Sequence, residues 1–78
     1  MKPEDAYLKF VQWSDEDRLY VGFCPDLFPW GGICHAVNEE DAYRDLCVHV
    51  RDELVQICEE GRTLPKPQTR PMREAVPA

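Results

Sequence analysis

The stretch Trp13-Ser-Asp-Glu-Asp-Arg-Leu-Tyr-Val-Gly-Phe-Cys-Pro-Asp-Leu27 decides how this chain folds. Its polar centre, Ser14–Arg18, divides two runs rich in aromatic and β-branched residues, Tyr7–Trp13 and Leu19–Cys24. A connection this short joins antiparallel strands, although it lacks the Asn-Gly or Asp-Gly of the tightest turns. Pro25 has no N–H to give to a ladder, so the second strand is predicted to end at Cys24. Both strands carry apolar residues on both parities. Leu19, Val21 and Phe23 alternate with Tyr20, Gly22 and Cys24, and Tyr7, Val11 and Trp13 with Leu8 and Phe10. A hairpin with one wet face alternates apolar with polar. This one does not, which predicts that a helix covers one face and a second copy the other.

Outward from the hairpin, Pro25–Gly32 reads as a wide turn, with Gly31-Gly32 supplying backbone freedom. Leu27, Phe28 and Trp30 within it admit two readings: a plug for one end of the core, or an exposed aromatic surface for a partner. Ile33–Val37 is short and β-branched at both ends, as a third strand. Asn38 then caps a helix whose first turn holds Glu39, Glu40 and Asp41, and Gly61 closes it. Along that helix Ala42, Tyr43, Leu46, Cys47, Val50, Leu54, Ile57 and Cys58 occupy one arc of about 160°. Val48 and Val55 stand on the opposite side, seven apart. They are either scattered surface valines or a dimer-interface seam for another helix. About 22 helical residues span about 33 Å, against about 20 Å for a six-residue strand, so the last turns overhang the sheet and are open to a second subunit.

After Gly61 the prolines at 65, 67, 71 and 77 forbid a continued helix. Leu64 is expected to dock back on the core, with a possible short fourth strand. The predicted class is α+β, β-β-β-α: a three-stranded antiparallel sheet with one long helix packed on it. Residues 1–67 form that domain and residues 68–78 a flexible Pro-containing tail.

Seventy-eight residues make one domain near the lower limit for independent folding. Fifteen acidic residues against nine basic ones give a net charge of −6. Nucleic-acid and membrane binding draw on clustered lysine and arginine, so both are disfavoured and a basic protein is the natural complement. No run approaches a membrane span, and Met1-Lys-Pro-Glu-Asp5 lacks the apolar core of a signal peptide, which predicts a cytoplasmic protein with reduced thiols. Cys24, Cys34, Cys47 and Cys58 lack the close pairing of zinc ligands, and Cys34 and His35 face apart on a strand. They read as structural thiols; a thiol or metal role for Cys24 and Cys34 is the competing view. His49 with Glu53 reads as a surface pair, and Ser14 has no base near it. No catalytic residue, metal site or cofactor is predicted.

Trp13–Leu27, Cys34-His35, Asn38-Glu-Glu-Asp-Ala42 and Glu59-Glu-Gly-Arg-Thr-Leu-Pro-Lys-Pro67, taken in order, resemble the HicB-like antitoxin family. The likeness covers residues 7–67. It implies a truncated RNase H-like fold, β-β-β-α-β, assembled into dimers or larger oligomers. It also implies binding and silencing of a small basic ribonuclease, the HicA toxin. The chain departs from the family pattern in a turn without glycines and in Ala36-Val37-Asn38 before the helix. Only 11 residues follow Pro67, too few for the family's DNA-binding segment, so a standalone type without direct nucleic-acid binding is expected. An active RNase H-like nuclease needs a carboxylate on its first strand, and none lies between Ala6 and Trp13. The expected function is therefore an antitoxin-type protein, with Tyr20, Asp26, Phe28 and Trp30 as candidate partner-binding residues. The alternative is an orphan homo-oligomeric module without a toxin partner.

Overall fold

A computed structural model describes residues 3–68. It shows an α+β fold: a 3-10 turn at Pro3–Ala6, strands β1 (Phe10–Ser14), β2 (Leu19–Phe23) and β3 (Cys34–Ala36), then helix α1 (Glu39–Glu59). The sheet is antiparallel in the order β1-β2-β3, with Val11 opposite Gly22 and Gly22 opposite Cys34. α1 packs across one face.

The hairpin forms where the sequence places it, but β1 is shorter than Tyr7–Trp13. The 3-10 turn precedes it, and Tyr7 N–H donates to the Glu4 carbonyl, so Tyr7 enters the core (6% exposed) from outside the strand. β2 stops at Phe23, one residue before the predicted end, as Pro25 requires. In the turn Arg18 N–H donates to the Ser14 carbonyl at 2.8 Å. Arg18 takes the left-handed conformation, φ +58°, that a glycine would adopt without strain.

Both ends of α1 are built from the predicted residues. The Asn38 side chain accepts from Asp41 N–H at 2.8 Å, satisfying one of the free donors of the first turn. At the far end Gly61, φ +73°, donates to the Cys58 carbonyl and Arg62 N–H to the Ile57 carbonyl, a Schellman closure. The buried stripe is narrower than the predicted arc. Ala42, Leu46, Val50, Leu54 and Ile57 are buried, whereas Tyr43 and Cys58 are exposed and Cys47 lies between. Three strands span only about 10 Å between outer axes, so the sheet does not reach beneath residues at the edge of the arc, which stay partly exposed.

Gly22 fixes the distance between the two layers. A Cβ there would stand 2.7 Å from Cys34 Sγ and 3.1 Å from Leu46 Cβ, so only glycine lets the centre of α1 rest this close to β2. Beyond the strands the overhanging turns of α1 are covered from within the chain. Tyr7 and Leu27 join Leu54 and Ile57 in one buried cluster, with Phe28 and Ile33 packed against it. The segment after α1 forms no strand among the described residues, correcting the possible fourth strand. Pro65 gives the Tyr7 hydroxyl its acceptor at 2.5 Å, and Gln68 N–H donates to Asp26 Oδ2 at 3.1 Å. Leu64, expected to dock, is 39% exposed. The prolines free this backbone from helix and sheet, and those two hydrogen bonds hold it. Apart from Gln68, the expected tail lies outside the described residues.

Candidate partner-binding surface

The loop between β2 and β3 starts with two hydrogen bonds to the Cys24 carbonyl, from Leu27 N–H (3.2 Å) and Phe28 N–H (2.8 Å). That tight turn drives Leu27 into the core and lays Phe28 across its rim, half-buried. Trp30, one residue beyond Pro29, is 74% exposed and meets Phe28 edge-to-face with centroids 5.6 Å apart. The two readings of this loop therefore divide between its residues: Leu27 and Phe28 plug the core, and Trp30 stands in solvent. Asp26 is half-buried and turned toward the segment after α1.

Tyr20 is not part of this loop. It sits at the hairpin end of β2, opposite Trp13 and edge-to-face with it at 5.0 Å, and three strand steps separate it from Phe23 at the loop end. Trp13 Nε1 in turn donates to Asp15 Oδ1 at 3.2 Å. Asp26, Phe28 and Trp30 thus share one end of the molecule and Tyr20 the other. Val48 and Val55 lie on the outer side of α1, 44% and 51% exposed. Val55 borders an apolar groove of about 360 Å³ with Leu54, Cys58 and Leu64.

The strand pairing also segregates charge. β3 returns antiparallel to β2, so the start of α1 with Glu39, Glu40 and Asp41 comes to the same end as Asp15, Glu16 and Asp17 of the hairpin turn. Arg44 pairs with Asp41 at 3.1 Å. At the other end Arg62 lies 2.6 Å from Glu60 and 3.9 Å from Glu53, so Glu53 pairs there and not with His49 as the helix spacing suggested. Arg51 reaches Glu4 at 3.1 Å.

All four cysteines are free thiols. Burial raises the Cys24 thiol above its ordinary 9.0, opposed in part by the Leu27 N–H. Burial likewise raises Cys34, with Asp45 adding to the shift. Cys34 Sγ lies 3.5 Å from the Ala42 carbonyl on the helix side, while the adjacent His35 is exposed on the other face. Among the described residues no three of His, Cys, Asp or Glu converge as a metal site needs, and no helix is long and apolar enough to cross a membrane.

Two structural residues escaped the sequence reading. Gly22 was legible in principle, as a lone glycine amid bulky strand residues. The bond from Tyr7 to Pro65 spans 58 positions and carries no local signal. Comparison of the chain with protein-family models, with curated proteins and with solved structures finds no match.

Proposed function

We propose that this chain is a non-catalytic, HicB-like antitoxin-type module that binds and neutralises a small basic ribonuclease of the HicA type in the cytoplasm. One observation carries the reading: an acidic molecule presents Trp30 to solvent at 74% exposure, beside a Phe28 anchored on the core. Large aromatic side chains held on a rigid base are the residues that supply most of the affinity in protein interfaces. The net charge of −6 speeds encounter with a basic partner and repels acidic competitors. Neutralisation then needs no chemistry, since seating the ribonuclease shields its RNA-binding surface.

The test is co-expression with the small basic protein encoded by an adjacent reading frame, followed by affinity capture and an RNA-cleavage assay. Stoichiometric capture with loss of cleavage is expected, and Trp30→Ala should weaken it by about 2 kcal/mol or more. Absence of such a reading frame, or capture without inhibition, overturns the antitoxin reading.

A second reading, an orphan homo-oligomeric module, is favoured by the apolar groove beside Val55 and by the exposed Val48 on the same side of α1. Sedimentation of the protein and of a Val48→Asp, Val55→Asp variant decides it. A dimer that the double substitution dissociates supports this seam, and a monomer throughout removes it.

A further inference from the structure

We propose that the sheet face turned away from α1 is the docking surface for a basic partner segment, an inference that rests on the basic-partner reading above. Val21 is its centre, paired with Gln12 on β1 and His35 on β3 and flanked along β2 by Leu19 and Phe23. A Cβ at Gly22 would point at Leu46 of α1, so the pleat turns its neighbours Val21 and Phe23 the other way. Phe10 and Phe23 stack there at 5.0 Å, giving the face an ordered aromatic floor.

The face is sculpted. Gly32 crosses so close above Val21 and Phe23 that a side chain there would strike Val21. Beside it lie two adjoining hollows of about 450 and 510 Å³, both walled by Asp17, Val21 and Gly32. Leu19 and His35 extend one, and Gln12 and Phe23 the other. Among the described residues no other element lies over these hollows.

Charge selects the occupant. Asp17, which accepts from Ser14 Oγ at 3.2 Å, lines both hollows, and Asp15 and Glu16 of the same hairpin turn stand at that end of the sheet. A second copy would set the same acidic rim against this one, an arrangement that like-charge repulsion opposes. An extended basic segment meets no such opposition. The apolar stem of a lysine or arginine can lie along Val21 and Leu19 while its cationic head meets Asp17.

The test titrates the isotopically labelled full chain with a peptide alternating arginine and valine, at about 0.15 M salt. A glutamate–valine peptide is the control, and backbone amide shifts locate the binding. The arginine peptide should move the amides of Leu19, Val21, Phe23 and His35. Asp17→Lys and His35→Lys, both at exposed positions, should each weaken binding about tenfold, with the fold checked by circular dichroism. Binding that survives both substitutions, or shifts confined to Phe28–Trp30, overturns the surface while the basic-partner reading stands. Binding of neither peptide overturns both. Self-association that these substitutions abolish replaces the basic segment with a second copy.

Discussion

Gly22→Ala should be among the most damaging single-methyl additions in this chain. The new Cβ would lie 2.7 Å from Cys34 Sγ and 3.1 Å from Leu46 Cβ. Favourable carbon contacts begin near 3.5 Å, so the shortfalls are about 0.8 and 0.4 Å. Leu46 has no exposed surface into which to retreat, and Cys34 is held between Gly22 and the Ala42 carbonyl. Overpacking of this kind costs about 1–3 kcal/mol. Replacing a strand glycine returns about 0.5–1 kcal/mol through the unfolded chain. With neither neighbour able to retreat, the upper end of that cost applies, and the net expectation is a loss of about 2 kcal/mol, a fall of about 2 M in urea midpoint at a slope near 1 kcal/mol/M. Far-UV circular dichroism follows the transition, and sucrose restores a measurable one should the variant be unfolded in buffer. Most of the clash is with sulfur, so Gly22→Ala in a Cys34→Ala background should cost at least about 1 kcal/mol less than in the parent. A Gly22→Ala protein as stable as the parent refutes the reasoning, as does an equal cost in both backgrounds.

Other outcomes follow from single positions. Arg18→Gly relieves the left-handed backbone at φ +58° and should add about 0.5–1 kcal/mol, read as a higher melting temperature. Asn38→Ala removes the acceptor of the Asp41 N–H and should cost about 1 kcal/mol in the same melt. Tyr7→Phe strips the hydroxyl from the Pro65 carbonyl and should cost about 1 kcal/mol, with faster proteolysis after Gly61 as the local sign. Stability should also decline in alkali. Burial raises the Cys24 and Cys34 thiols above 9.0 and, with Asp26 next, the Tyr7 phenol above 10.0. The unfolded chain therefore releases these protons first. Their contribution is complete below pH 9.0 and is lost as pH climbs through the raised native values. Urea midpoints taken across that range should fall, and a rise would contradict the assigned burial.

The hairpin, the third strand and the capped helix were legible because their signals are local. Pro25 ends a strand wherever it stands, and Asn38 and Gly61 mark helix ends by side-chain and backbone chemistry within a few residues. What stayed hidden depends on distant partners. Tyr7 reads as strand because its neighbours alternate, yet the 3-10 turn before it and its bond to Pro65 make it a core residue outside the sheet. The width of the helical arc was overread because sequence gives the angle of Tyr43 and Cys58 but not how far the sheet extends beneath them. At the candidate surface, the aromatic run Leu27–Trp30 announced itself, but not which ring would be buried. Tyr20 reads as a strand residue beside the loop candidates, and what sequence does not show is that it sits at the hairpin end of β2, three strand steps from Phe23 at the loop end.

The overhanging turns of α1 have a consequence for motion. Leu54 and Ile57 share one buried cluster with Tyr7 and Leu27, while Tyr7 and Asp26 fasten the segment that follows the helix. Three stretches far apart in sequence thus close over one another like the flaps of an envelope. Releasing any one exposes the seal of the other two, so their amide protons should exchange with solvent together, as a single cooperative opening separate from the slower-exchanging hairpin.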